Sequence, residues 1–199
     1  MTNKYGWSTD KRFTPNQVFQ IDTAGWDLEA FVDNINGGHG WEWIITNTHG
    51  TRIHRGGLPA IIAAQLTRLP TSLVFPLKDI WLAEHFDTFP SPKRHFLHEL
   101  GHVIDNRLPK KGIFPHTIFG KGAADRLVIN LGGKPSGLRF CNGSSGIPDQ
   151  YHWWGTGVYG NHSTADYFAE GFSWLPYDPT KLPDPLVTGW FNSEIFLGN

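Results

Sequence analysis

"FLHELGHVID", residues 96–105, lies near the middle of the 199-residue chain, and its reading decides how the rest is understood. His98 and His102 stand four residues apart, so on a helix both imidazoles leave one face, close enough to share a tetrahedral metal ion. Glu99 follows one position on, about 100° further round, beside such an ion and placed to act as a base on water. On the opposite side Leu97, Leu100, Gly101 and Ile104 form an apolar stripe that would face a core. Gly101 costs roughly 1 kcal/mol against alanine in a helix interior, a cost that makes sense where another element packs tightly there. Upstream, Ser91 suits an N-cap and Pro92 the first helical position, so the helix is expected over 92–105. An amphipathic helix that merely carries two histidines would show the same five residues. A third ligand separates the two readings.

Composition sets the frame for that search. Aromatic residues make up 14% of the chain, with nine tryptophans, while charged residues reach only 18%; this is the balance of a packed globular protein, not a disordered one. The length suits one domain, 1–199. A net charge of −1 without a basic run gives no footing for nucleic acid or an anionic membrane. No apolar run approaches the roughly 18 residues needed to span a bilayer, and the first residues lack the apolar core of a signal peptide, so a soluble chain is expected. Cys141 is the sole cysteine, which excludes an intramolecular disulfide and a cysteine-based metal site.

Working outward from the central helix, the pattern predicts an α+β fold: mixed elements first, then mainly helices. "NQVFQID" (16–22) reads as a strand and "DLEAFVDNI" (27–35) as a helix. "WEWIITNTHGTRIH" (41–54) reads as two β-rich segments around a turn at His49-Gly50. "LPAIIAAQLTRL" (58–69) reads as a helix and "TSLVFPL" (71–77) as a short buried strand. After the central helix come a short helix in "AADRLVINL" (123–131) and a loop rich in glycine and aromatics, "YHWWGTGVYGNH" (151–162). "STADYFAEGFSWL" (163–175) is a helix capped by Ser163, with Tyr167, Phe168, Phe172 and Leu175 as its apolar stripe. "LVTGWFNSEIF" (186–196) is a last helix or an extended packing segment.

A catalytic zinc site keeps three protein ligands and leaves the fourth position open. The metzincin pattern would require glycine at 105 and histidine at 108, where this chain has Asp105 and Leu108. Among the acidic residues downstream, only Asp166 and Glu170 lie on a strong amphipathic helix, and at i,i+4 they share a face. Either can be the ligand. Ser163-Thr164-Ala165-Asp166 has capping-box spacing, which would commit Asp166 to the backbone and leave Glu170. Nearby, His95 reads as a first-turn surface or cleft residue. Asp105 either orients a histidine or ends the helix.

The run "VYGNHSTADYFAEGF" (158–172), together with the His98–His102 helix, resembles the zinc peptidase domain of anthrax lethal factor and its relatives, the bacterial Pro-Pro endopeptidases. Those proteins pair a His-Glu-x-Gly-His helix with a Tyr-Gly segment, an acidic residue seven positions after the tyrosine, and an aromatic-Phe-Ala-Glu run. The resemblance covers 20–25 residues and implies a zincin-like fold with zinc held by His98, His102 and Asp166. It further implies Glu99 as general base, Tyr159 as oxyanion stabiliser or proton donor, and Glu170 behind the ligands. The family's ligand is a glutamate, so Asp166 requires its helix to approach about one methylene closer. Tyr151 rivals Tyr159, and His152 and His162 are further donors in the same loop. Tyr151, Trp153 and Trp154 line a substrate groove or pack between helices. The expected function is zinc-dependent endopeptidase action on a peptide or protein substrate lying along an edge strand, with 71–77 and 41–47 as candidates. The alternative is a catalytically silent peptide- or glycan-binding module on the same fold.

Overall fold

The computed structural model describes residues 2–56, 73–75, 79–108, 122–135, 147–151 and 164–198. The first long element corrects the expected strand at 16–22. Pro15–Asn36 is one helix, α1. Its start is set by chemistry that the alternation Val18-Phe19-Gln20-Ile21 conceals. Thr14 and Gln17 form a reciprocal capping box, and Pro15 occupies the first turn, where its missing N–H costs nothing. Gln17, Ile21, Ala24, Gly25, Leu28 and Val32 are buried at helical spacing, whereas Phe19, half of the apparent alternation, is 55% exposed.

A second correction follows at once. Gly40–Thr48 is helix α2, not a strand. The aromatic and β-branched residues of "WEWIITNT" favour strands by propensity, but tertiary contacts override it. Trp43 packs on Phe196 at 5.0 Å and donates its indole N–H to the Ile195 carbonyl, while Ile44 is buried. Gly40 fits tightly against α1: a Cβ there would lie 2.5 Å from the Glu29 carbonyl oxygen, and its N–H donates to Asp33. The turn at His49-Gly50 is present, with Gly50 at φ +73°.

The strands are short: β1 (Ser8–Thr9), β2 (Arg52–Arg55), β3 (Leu73–Phe75) and β4 (Asp79–Leu82). They form one sheet in the order β1-β2-β4-β3, with β1, β2 and β4 parallel and β3 antiparallel along β4. Ile53, Ile80 and Leu82 turn into the core. Of the two candidate substrate strands, 41–47 is therefore helical, and β3 within 71–77 lies at the sheet's edge. The expected helix at 58–69 lies outside the described residues.

The central helix, α3, runs Pro92–Arg107 with Ser91 as N-cap and Pro92 in the first turn, although the Ser91 side chain makes no capping bond. It buries Phe96, Leu97, Leu100, Val103 and Ile104 and packs against α1, α2 and the sheet. Helix α4 is Ala123–Asn130, as expected, and α5 is Thr164–Trp174. The chain closes with α6, Pro185–Trp190, which runs into a π-helical turn, Phe191–Phe196. Phe168 and Phe172 of α5 meet Phe191 and Phe196 there, and Phe31 of α1 stands edge-on to Phe196 at 5.6 Å, which ties the N-terminal helix to the same aromatic cluster.

The crossing between α3 and α5 is close, and it explains Gly101. A Cβ at 101 would sit 3.0 Å from the Ala169 backbone and 3.4 Å from Phe172, so glycine facing alanine lets the two helices approach. Asp105 does something the sequence did not suggest: its carboxylate accepts the Ala124 N–H at 2.8 Å, holding the start of α4 against α3. The molecule is thus α+β. Among the described residues no helix is long and apolar enough to cross a membrane.

Candidate metal centre

The crossing of α3 and α5 assembles the polar site. Helical spacing puts His98 and His102 on the side of α3 away from Leu97 and Ile104, with ring centroids 5.0 Å apart and planes at 83°. From the first turn of α5, Asp166 brings Oδ1 to 3.4 Å from His102 Nε2. One ligand atom from each of His98, His102 and Asp166 lies within 4.8 Å of the others. All three side chains are partly buried. Tetrahedral zinc with bonds of about 2.0–2.1 Å would space its ligands by roughly 3.3 Å, so the His102–Asp166 edge already has that length. Two imidazoles and one carboxylate are also the donor types that zinc takes, and the set leaves a fourth position open.

Glu170, one turn beyond Asp166, has a different employment. Its side chain is only 7% exposed. Oε2 lies 3.1 Å from His98 Nδ1, and Oε1 accepts from Arg94 Nη1 at 2.6 Å and from the Trp174 indole N–H at 3.1 Å. Burial pushes its pKa up, but the bond to His98 and the Arg94 charge outweigh that and hold it below the usual carboxylate range. An ionised carboxylate only accepts, so His98 must donate from Nδ1, and the neutral ring then keeps its Nε2 lone pair for a cation. Of the two carboxylates that the sequence left open, Asp166 converges on the histidines and Glu170 backs one of them.

Glu99 is buried, at 3% exposure. Burial raises its carboxyl pKa; the neighbouring His98 and His102 oppose the rise and Asp166 adds to it. His98 feels the reverse balance. Burial would depress it, yet the bond to Glu170 and the charges of Glu99, Glu170 and Asp166 leave it raised.

His95 stands edge-on to Phe89 at 4.9 Å. Burial, with the positive charge of His98 and Arg94, pushes it down to about 4 despite Glu170. A depressed histidine makes the fold acid-sensitive: the unfolded chain takes the proton near pH 6.5, the folded one only near 4. Stability should therefore fall through that window by up to about 3 kcal/mol from this group. In cation-free protein, urea unfolding at pH 7 and pH 4 should show a smaller acid loss for His95→Gln than for wild type.

Tyr159, His152, Trp153, Trp154, His162, Ser163 and Cys141 lie outside the described residues, and so does the test of the capping box. Tyr151 is described: its backbone carbonyl accepts the Tyr167 hydroxyl at 3.0 Å, and its side chain packs against the core. Sequence reasoning missed Arg94. The available signal was its place one turn before His98 on the same face of α3, opposite a helix carrying Glu170. Comparison of the chain with family models, with curated proteins and with solved structures finds no match in any of the three.

Proposed function

We propose that the protein is a zinc-dependent endopeptidase of the lethal factor and Pro-Pro endopeptidase type, built on a zincin-like fold. The observation that carries this reading is the convergence of Asp166 from α5 on His98 and His102 of α3, with Glu99 buried beside them. His98, His102 and Asp166 hold the ion. Zinc held there supplies a Lewis acid that polarises a scissile carbonyl and acidifies water.

The chain's own residues carry the rest. Glu99, on the same turn as His98, takes a proton from the attacking water and returns it to the leaving amine. Its burial favours a basic carboxylate, which suits a group that must both accept and release a proton near neutral pH. Glu170 fixes the donor nitrogen of His98 through Nδ1. The resemblance assigns Tyr159 to the developing oxyanion, where one such donor is worth a few kcal/mol. Among the described residues β3 is the edge strand of the sheet, which suits an extended peptide pairing through its main chain. A silent binding module has less support, since such a module has no use for a buried carboxylate beside the ligands.

Metal analysis by mass spectrometry tests the assignment. Wild type should carry close to one zinc per chain and cleave members of a mixed peptide library, while Asp166→Ala should lose both the zinc and the cleavage. Zinc retained in Asp166→Ala, or absent from a supplemented wild type, would overturn it.

A further inference from the structure

Glu170 touches His98 through one oxygen only, and its other oxygen is gripped from two directions. Arg94 Nη1 reaches Oε1 at 2.6 Å and the Trp174 indole N–H reaches it at 3.1 Å. Arg94 sits one turn before His98 on α3, so one carboxylate from α5 spans both residues. The guanidinium carbon lies 4.4 Å from the centre of the Trp174 ring, and Nη1 also donates to Ser173 Oγ at 3.2 Å.

Burying this charge calls for an explanation. An apolar residue at 94 could pack on Trp174 without desolvating a cation, and buried ion pairs are often no more stable than apolar replacements of like volume. What arginine adds is geometry. Its planar, stacked group holds a carboxylate oxygen in a direction that a flexible point charge does not.

We propose that Arg94 is a positioning residue for the metal centre: by clamping Oε1 of Glu170 it aims Oε2 at His98 Nδ1 and holds the ring in the tautomer whose Nε2 is free to bind a cation. The clamp rests on the zinc reading above, but the tautomer of His98 is readable in cation-free protein. A carboxylate with one oxygen fixed at Arg94 and Trp174 can rotate little, and the ring it contacts inherits that restriction. Without the clamp Glu170 keeps the Trp174 indole N–H, but Oε2 is no longer aimed at Nδ1, and the His98 ring samples both neutral tautomers.

The test combines nitrogen NMR of the histidines, in cation-free protein at a pH where imidazole is neutral, with zinc affinity from chelator competition. Wild type should show His98 as a single tautomer protonated on Nδ1. In Arg94→Met both tautomers should appear and zinc affinity should fall about 10–100-fold, the range for losing an outer partner of a metal ligand. Arg94→Lys should fall between the two. A variant Arg94→Met that loses only thermal stability, with His98 signals and zinc affinity as in wild type, overturns the clamp. Should that variant fail to fold, Arg94→Lys carries the comparison: mixed His98 signals support the proposal and unchanged ones overturn it. Failure of the zinc reading looks different, because wild type itself then takes up no zinc.

Discussion

Glu99→Gln should keep close to one zinc per chain and lose peptide hydrolysis by about 10²–10⁴-fold, the usual contribution of a positioned general base. The substitution preserves side-chain volume at a buried position, 3% exposed, so little repacking is expected. It also leaves His98, His102 and Asp166 intact, which separates metal binding from proton transfer. Steady-state cleavage of any library peptide found with wild type, alongside metal content and far-ultraviolet circular dichroism, reads all three quantities. Hydrolysis within a few-fold of wild type would remove Glu99 from the mechanism. Loss of zinc together with activity would make Glu99 a structural partner of the histidines.

Glu170→Ala should cost about 3 kcal/mol of stability, because it strips the partner from a guanidinium that is mostly out of water and removes the acceptor of His98 and Trp174. A urea titration should show a lower midpoint with an unchanged slope. The informative companion is Arg94→Met with Glu170→Met, which replaces both charges by apolar groups. Most of the lost stability should return, since neither charge is left buried alone, while the unpaired His98 and Trp174 donors keep it somewhat below wild type. Zinc affinity should not return with it, because nothing then fixes the His98 ring. A double variant that recovers stability and affinity together would make the Arg94–Glu170 pair a packing device without influence on the metal centre.

The two errors in the sequence reading share a physical origin. At 16–22 and 41–48 the chain carries β-branched and aromatic residues in short apolar runs, which local propensity assigns to strands. At the first site a capping box and a proline override that preference; at the second, packing of Trp43 on Phe196 does so from the far end of the chain. A capping box is legible in sequence, and Thr14-Pro15-Asn16-Gln17 could have been read. A contact across about 150 residues could not. The helices α3, α4 and α5 were legible because each combines start signals or apolar spacing with length enough to make the period plain.

The sequence by itself determined the half of the site that is local. His98, Glu99 and His102 lie within five residues of one helix, so 3.6-residue periodicity alone puts both imidazoles on one face and the carboxylate beside them. It also marked Gly101 as a close-approach position, and Ala169 is what approaches. Only the tertiary structure showed where each carboxylate goes, Asp166 to 3.4 Å from His102 Nε2 and Glu170 to 3.1 Å from His98 Nδ1, because the two share a helix face and differ only by one turn in their distance along the crossing. It decided as well that Arg94 closes on Glu170 and that Asp105 holds α4. These pairings join residues 19 to 76 positions apart, and they depend on where two helices cross, which no local pattern records.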